Sequence, residues 1–428
     1  MTITIKAIGG YNAVGGNMTS IEVDNEEIVI DCGIRLDTLQ MYDSDTQRLR
    51  KFNKEDLIKK RIIPNFHLLR REKAIILSHG HLDHVGALSI IKPKVPIYGL
   101  PFAVDIASNE YPEGKFQLKG YNEEFTLTNK VSAEFVEVTH SIPYASIVIL
   151  NTPEGKIAYA SDYRFDNHSQ IASTDYRRLK ELGNEGIKAL IVESLRVGKI
   201  GKTPSERTVK YQLEDLFEFI DSGLVIASTF STHIERIQHF IDCSEKKGRK
   251  VLILGRSLNS QVRIADKYGL IKLPDDVKIL ANAKGINRVL KNLANSRDEY
   301  FLIVTGHQGE PDSVLSRMSN GVFDFEFRKG DVMIFGAEVI PTPTNQATRY
   351  AIETKLNFRK VKIFQVHAHG HACKEDHRHL LKLLNPEHII PCHGTAQMKS
   401  DYVELGIEEG YELNKNLHLL SDGVSLKI

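Results

Sequence analysis

Three histidines and one aspartate fall within six positions of the sequence, directly after a short apolar stretch. They are His79, His81, Asp83 and His84, in the run Ser-His-Gly-His-Leu-Asp-His-Val-Gly, and residues 74–77 before them predict a strand. Imidazole nitrogen and carboxylate oxygen are the usual ligands of catalytic zinc, which keeps a further position open for water. A turn at the intervening glycine would bring His79 and His81 round one ion, and Asp83 and His84 could supply a second. The alternative is a solvated polar loop before a helix, but this crowding of ligands after a strand favours a metal site.

Two metal ions need more ligands, and three further candidates follow strand-like runs later in the chain. His140, Asp162 and His393 each come directly after an apolar run and before small or turn-forming residues. Taken alone, each would be an ordinary surface or hydrogen-bonded residue. Because the same order of apolar strand and then ligand recurs, the set together indicates further metal ligands.

Composition describes an ordinary globular protein of 428 residues, which is long enough for two or three domains. The net charge is only +1, so a nucleic-acid partner must be held by a local basic groove. The four cysteines form no CxxC pair, which argues against a zinc ribbon or a disulfide framework and predicts a reducing, cytoplasmic location. The N-terminal residues have the alternation of a strand, not the pattern of a signal peptide. No run of about 18 apolar residues exists, so no membrane span is expected.

The order of strand-like and helix-like segments indicates an α/β protein. Residues 3–8 predict the first strand of an opening hairpin, and residues 18–23 and 27–30 continue the strand pattern. The charged stretch 38–72 predicts a loop that contains a helix. From about residue 205, strands alternate with helices, which suggests a parallel sheet whose ligands gather beyond the carboxyl ends of its strands. A final hairpin is expected after residue 391. Other strands are predicted at 74–77, 95–98, 133–138, 146–150, 156–159, 189–192, 224–228, 251–254, 300–305, 362–366 and 388–391, and helices at 205–220 and 233–245.

The ligand motifs and their order resemble those of the metallo-β-lactamase superfamily. The matching segments are 78–86, 139–141, 161–163 and 391–394, and Asp31 matches the superfamily's first acidic motif. The resemblance implies a four-layer αβ/βα sandwich with a dinuclear site between two sheets. It assigns one metal to His79, His81 and His140, the other to Asp83, His84 and His393, and a bridging role to Asp162.

More than two hundred residues separate Asp162 from His393, and this interval holds the predicted parallel α/β unit. The pattern resembles the β-CASP nucleases, whose inserted domain makes a narrow channel for single-stranded nucleic acid. Glu193 resembles their acidic motif A, and His371 stands at the key position of motif B. The segments GGYNAVGGNM, TFSTHIERIQ, GRSL, TGHQGEP and HAHGHA narrow the likeness to the RNase J family in its archaeal form. We therefore expect a metallo-β-lactamase domain at 1–195 and 346–428, with an inserted β-CASP domain at 196–345.

The resemblance implies two Zn²⁺ per chain, with Mn²⁺ as the alternative because histidine and aspartate suit both ions. Two cations would lower the pKa of a shared water, and the resulting hydroxide would attack the scissile phosphorus in line. Asp83 or Asp162 could orient this nucleophile. We expect His371 to protonate the leaving oxygen and Glu193 to fix the tautomer of that histidine. A phosphate contact by His371 without proton transfer is an equal alternative.

The resemblance further implies a 5′→3′ exoribonuclease that degrades single-stranded RNA and prefers 5′-monophosphate ends. Polar loops after the strands of the inserted unit could hold phosphate oxygens, and the resemblance implies that some of them form the 5′-monophosphate pocket. We favour Ser231 and His233 for this pocket, although a helix cap is a serious alternative for Ser231. An RNA endonuclease of the 3′-end-processing type, and an RNA-binding protein without catalysis, are the alternatives. A small-molecule hydrolase is disfavoured by the large insert, and we expect a homodimer. The candidate RNA and 5′-phosphate contacts are Ser231, His233, Arg256, Ser257, Gly306, Gln308, His367 and His369.

Overall fold

The structure is a computed structural model that describes residues 2–42, 49, 52–293 and 296–428. The chain forms two compact units. The first consists of the residues up to Asn167 together with Ala172–Thr203 and His369–Ile428, and the second of His168–Ile171 and Pro204–Ala368. The second unit is therefore an insertion within the first.

Both units are built from strands and helices. The strands of the described residues are β1 (Ile3–Gly9), β2 (Met18–Val23), β3 (Glu26–Ile30), β4 (Glu72–Leu77), β5 (Pro96–Gly99), β6 (Lys115–Leu118), β7 (Phe125–Thr126), β8 (Ser132–Glu137), β9 (Ser146–Thr152), β10 (Gly155–Ala160), β11 (Ile187–Glu193), β12 (Val225–Ser228), β13 (Lys250–Leu254), β14 (Lys278–Leu280), β15 (Tyr300–Val304), β16 (Val332–Phe335), β17 (Lys362–Gln365), β18 (His388–Cys392) and β19 (Ser425–Lys427). The α-helices are α1 (Leu36–Gln40), α2 (Lys54–Lys59), α3 (Leu82–Val85), α4 (Leu88–Ile91), α5 (Pro101–Glu110), α6 (Tyr176–Glu185), α7 (Glu206–Glu218), α8 (Ile234–Lys246), α9 (Arg256–Lys267), α10 (Ala283–Asn292), α11 (Val314–Ser319), α12 (Pro343–Phe358), α13 (Lys374–Leu384) and α14 (Ala396–Glu408).

The first unit contains two sheets that face each other across a shared apolar core. Their strand orders are β19-β1-β2-β3-β4-β5-β6 and β18-β11-β10-β9-β8-β7. Alternating apolar residues supply the contact: Ile5 and Ile28 from the first sheet pack in one cluster with Phe135 and Leu150 from the second. This period of two is what a strand with one face in the core requires.

Helices cover the outer faces of these sheets. Leu182 of α6, Leu380 of α13 and Tyr402 of α14 belong to one cluster with Ile147 and Leu190 of the second sheet. Helix α5 packs beside β5 and β6 of the first sheet. The unit is thus a helix–sheet–sheet–helix sandwich, as predicted.

The second unit is built on one sheet whose strands all run parallel, in the order β14-β13-β15-β12-β16-β17. Strands β13 and β15 are central and read as continuous apolar runs, because helices bury both of their faces. The unit ends later than the sequence predicts, at Ala368 and not at 345. The reason is that β17 pairs with β16, from Val332 opposite Lys362 onward, and so extends the inserted sheet.

Two local predictions need correction or restriction. The expected final hairpin is wrong: the segment after β18 is helix α14, capped by the Thr395 side chain, and β19 pairs with β1. The charged stretch 38–72 contains helix α2, but residues 43–48, 50 and 51 lie outside the described residues.

Candidate metal centre

The direction of the strands brings three of the predicted ligands to one end of the second sheet, where the carboxyl ends of β8, β10 and β18 lie. Strands β8 and β10 both run antiparallel to β9, while β11 and β18 run parallel to β10. The residues that follow β8, β10 and β18 therefore emerge at the same edge, and these are His140, Asp162 and His393. The first sheet contributes its residues from the turn between β4 and α3 and from α3 itself.

The ligand atoms form two clusters that share Asp162. Within each cluster, one nitrogen or carboxylate oxygen from every member lies within 4.8 Å of the others. The first cluster consists of His79, His81, His140 and Asp162. The second consists of Asp83, His84, His393 and Asp162. The family resemblance implied the same two groups, with Asp162 shared between them.

The donor atoms are arranged as a cation would require. His81 Nδ1 lies 3.1 Å from His79 Nε2 and 3.2 Å from His140 Nε2, so imidazole nitrogens converge on one point. The Oδ1 atom of Asp162 is buried and accepts no hydrogen bond within the described residues. Converging imidazole nitrogens, together with a buried carboxylate oxygen that has no hydrogen-bond donor among the described residues, fit the ligand set of a divalent metal ion.

Burial sets the protonation of the first cluster. It lowers the pKa values of His79 and His140 well below the usual range and that of His81 to about 4. These imidazoles are neutral near pH 7, which is the form that binds a metal. In the second cluster, burial opposes the charge on His84, but Asp162, Asp83 and Asp31 raise its pKa above the usual range. A cation at this cluster must compete with that proton.

Asp31, which is itself held by Ser78, contacts His84 at Nδ1, the ring nitrogen that does not face Asp162. His84 Nδ1 lies 2.7 Å from Asp31 Oδ2, which directs Nε2 of the same ring toward Asp162 Oδ1 at 3.4 Å. The Ser78 backbone N–H and hydroxyl each donate to the Asp31 carboxylate at 2.8 Å. Such a carboxylate–histidine pair fixes the tautomer and orientation of a metal ligand.

Asn17 connects two histidines of the second cluster, a role that was not predicted from the sequence. Its Oδ1 lies 2.8 Å from His393 Nδ1, and its Nδ2 lies 3.0 Å from His84 Nε2. The same Nδ2 donates to the carbonyl oxygen of Asp83 at 3.1 Å. The side chain is buried, so these groups are its partners instead of water. The only available signal was its position at the end of the GGYNAVGGN segment.

The two non-ligand catalytic candidates lie beside the clusters. Glu193 ends β11 and is fully buried, and its Oε2 lies 3.1 Å from His371 Nδ1. His371 Nε2 is 3.9 Å from Asp162 Oδ2. Burial lowers the pKa of His371, but Glu193 and then Asp162 outweigh it and raise that pKa to about 9. His371 is therefore a protonated side chain next to the shared carboxylate.

Arg164, which sequence reasoning also missed, fixes the segment that carries His371. Its Nη1 donates to the carbonyl oxygen of His369 at 2.9 Å, and its Nη2 pairs with Asp166 at 3.1 Å. His140 Nδ1 donates to the next carbonyl, that of Gly370, at 2.7 Å. The segment 369–371 is thus tied to the first cluster by its backbone.

The candidate RNA contacts in the inserted unit follow neighbouring strands at the carboxyl edge of its sheet. Ser231 follows β12, and Arg256 and Ser257 open α9 after β13, where both are exposed. The cap residue of α8 is His233, so Ser231 does not take the N-cap position. His233 is buried, with Nε2 3.5 Å from the Glu206 carboxylate.

The remaining candidates have structural contacts of their own. Gly306 has φ 119°, and a Cβ there would lie 2.4 Å from Ser313 Oγ. The Gln308 amide donates to the Glu338 carbonyl and accepts from the Ile340 N–H, both at 2.9 Å, so it holds its own loop together. His367 Nδ1 lies 3.0 Å from Arg236 Nη1. A phosphate contact by any of these residues stays a prediction.

Comparisons with known proteins cover the chain in three parts. Residues 11–168 match a model of the metallo-beta-lactamase superfamily and residues 222–353 the Ribonuclease J beta-CASP domain. Residues 359–417 match the Zn-dependent metallo-hydrolase RNA specificity domain. Together with the two ligand clusters, these matches define a metallo-β-lactamase-type hydrolase with a β-CASP insertion.

Relatives that are similar over the whole chain narrow this class. Proteins named Ribonuclease J from Pyrococcus abyssi and Methanocaldococcus jannaschii are 43% and 41% identical over 100% of this chain and cover 97% and 99% of their own lengths. Ribonuclease J of Helicobacter pylori strain 26695 is 31% identical over 100% of this chain, and the match covers 61% of that protein's length. The chain belongs to the Ribonuclease J family. The predictions of this family, of the fold class and of a ribonuclease are thereby confirmed.

A solved structure shows the same fold at low sequence identity. It is a protein of unknown function from Enterococcus faecalis V583, with a TM-score of 0.68, 17% identity and 100% coverage of both chains.

Within the described residues, none of the helices combines the length and apolar character that a membrane span needs.

Proposed function

We propose that the protein is a metal-dependent 5′→3′ exoribonuclease that degrades single-stranded RNA and prefers 5′-monophosphate ends. The observation that carries the proposal is the pair of ligand clusters joined by Asp162, in a chain of the Ribonuclease J family. We further propose two Zn²⁺ as the resident cations, with Mn²⁺ as the alternative, because both clusters combine imidazole with carboxylate.

Divalent cations bound at the two clusters would supply acidified water and offset the negative charge that develops on the phosphate. The protein's own residues would do the rest. Asp162 and Asp83 both belong to the second cluster and could accept a hydrogen bond from the attacking water. His371, protonated and 3.9 Å from Asp162, would donate its proton to the 3′-oxygen as the phosphorus–oxygen bond breaks. Glu193 would keep the His371 Nδ1–H oriented, so that Nε2 faces the reaction.

The 5′-monophosphate preference requires a pocket for a terminal phosphate. We propose that Arg256 and Ser257 contribute to it, because both are exposed at the first turn of α9. Helix N-termini and arginine side chains both favour phosphate oxygens. His233, buried beside Glu206, would need to turn away from that carboxylate to take part.

The test is digestion of one RNA sequence labelled at either the 5′ or the 3′ end, with a 5′-monophosphate or a 5′-triphosphate. We expect labelled mononucleotide to be the first product from the 5′-labelled monophosphate RNA, with slower release from the triphosphate. Chelator treatment and Asp162→Asn should both abolish cleavage. Internal fragments as first products would show an endonuclease instead, and RNA binding without any cleavage would show a binding protein.

Two further parts of the proposal concern the protein's state. We propose a homodimer, which sedimentation of the purified protein would test. We also propose a cytoplasmic protein; the described cysteines, Cys32, Cys243, Cys373 and Cys392, are buried free thiols, which suits a reducing compartment.

A further inference from the structure

One face of helix α10 in the inserted unit carries a row of basic side chains. Lys284, Arg288 and Lys291 are spaced by four and three residues, so they project from one side of the helix. All three are exposed, whereas Ile286 and Leu290 on the other side are buried in the core of the unit. We call these three residues the α10 stripe.

Acidic side chains do little to neutralise the α10 stripe. Helix α10 contains no aspartate or glutamate. Lys291 Nζ lies 3.8 Å from Asp324 Oδ2, a long contact between two well-exposed groups. Lys284 and Arg288 form no ion pair with any other described residue. Two of the three cations therefore have no acidic partner among the described residues, and the third has only a long, exposed one, so the stripe can bind an anionic partner.

The α10 stripe belongs to a strongly basic part of an otherwise neutral chain. Between Arg256 and Lys291 the sequence contains eight Lys and Arg residues against three Asp, a net charge of +5, although the whole chain carries only +1. All eight cations are exposed. Lys278 is one of them, on β14, which pairs only with β13 among the described residues and so forms an edge of the sheet.

We infer that the α10 stripe is a second RNA-binding surface, which holds the phosphate backbone of the substrate outside the catalytic centre. The inference rests on the proposed ribonuclease function, since RNA is the polyanion that such an enzyme must hold. Side chains spaced over two helical turns can follow successive phosphates without reading bases. The surface therefore raises affinity for RNA regardless of sequence, and its contribution weakens with salt.

The expected effect can be sized from counterion release. Each phosphate contact to a single strand contributes about 0.7 to the slope of log K against log salt. If Lys284, Arg288 and Lys291 each contact one phosphate, replacing all three with glutamine lowers the slope by about 2. Cleavage of a saturating RNA should keep its kcat, because these residues do not belong to the ligand clusters, while KM rises.

The experiment uses the full chain and an RNA of about 30 nucleotides, longer than one single-strand site. Binding is measured by fluorescence anisotropy in chelator over a series of salt concentrations, and cleavage is measured separately with metal. The test variant combines Lys284→Gln, Arg288→Gln and Lys291→Gln. The matched control combines Lys246→Gln, Lys247→Gln and Lys250→Gln, which removes the same charge from exposed side chains at the end of α8 and the start of β13, outside the α10 stripe. Circular dichroism confirms that both variants are folded.

We expect the test variant to bind RNA more weakly with a shallower salt slope, and the control to resemble the wild type. Equal behaviour of the two variants would overturn the inference while leaving the proposed function intact. A wild-type protein that binds RNA through the stripe but cleaves none would overturn the proposed function instead. Polyglutamate of equal charge serves as a competitor. If it displaces the labelled RNA as strongly as unlabelled RNA does, the surface binds polyanions in general and the assignment to RNA fails.

Discussion

Replacing Asn17 should weaken the metal centre without touching a metal ligand. Its amide contacts three parts of the second cluster: His393 Nδ1 at 2.8 Å, His84 Nε2 at 3.0 Å and the Asp83 carbonyl at 3.1 Å. In Asn17→Ala, His393 loses the acceptor that fixes its tautomer, and the Asp83 carbonyl loses a donor. Loss of such an outer partner lowers metal affinity by roughly 10–100-fold. This corresponds to about 1.4–2.8 kcal/mol of binding free energy.

The companion variant Asn17→Asp separates the two contacts. An aspartate keeps an oxygen opposite His393 Nδ1 but cannot donate to the Asp83 carbonyl, so it should lose less affinity than the alanine variant. The assay is competition for Zn²⁺ against a chromophoric chelator, with thermal unfolding of the apo proteins as the control for folding. An alanine variant that binds Zn²⁺ within twofold of the wild type would refute the role given to this amide.

Three more predictions concern residues around the two clusters. Glu193→Gln removes the negative charge that raises the pKa of His371 most. The alkaline limb of the pH–rate profile should therefore move to lower pH, and an unmoved limb would exclude His371 as the acid. Gly370→Ala places a Cβ 2.9 Å from His140 Cε1, so the His140 ring must shift. The bound-metal content measured by mass spectrometry should fall, and an unchanged content would contradict this prediction. His377 has a folded pKa of about 3, below its ordinary 6.5, so its contribution to stability is present above pH 6.5 and lost as pH falls toward 3. Between pH 7.5 and 5 the unfolding free energy of the wild type should fall by up to about 2 kcal/mol more than that of His377→Asn, and parallel denaturation curves would contradict this.

The positions of the candidate ligands could be predicted from sequence because their signal is local. Each ligand follows an apolar run, and strands that run in one direction present the residues after them at one edge of the sheet. His79, His81 and His84 also lie within one short segment, so their proximity needs no knowledge of the fold. Asp162 and His393 required in addition the expectation that their strands belong to one sheet, which the family resemblance supplied.

The supporting contacts could not be predicted, because they join residues that are distant in sequence. Asn17 reaches His393 across 376 positions, and Arg164 reaches the His369 carbonyl across 205. Strand β19 was mistaken for part of a hairpin for the same reason: Ser425 pairs with Lys6, at the other end of the chain. The burial of His233 beside Glu206 likewise depends on how α7 packs against α8.

The most direct test of a two-cation site centred on Asp162 is titration of metal-free protein with Zn²⁺ or Mn²⁺. Bound metal per chain and hydrolysis of 5′-monophosphate RNA are measured on the same samples. We expect activity to reach its plateau at two bound ions per chain, and Asp162→Asn to bind fewer ions and to cleave no RNA. Full RNA hydrolysis by the metal-free protein, or by Asp162→Asn, would contradict the assignment of this site.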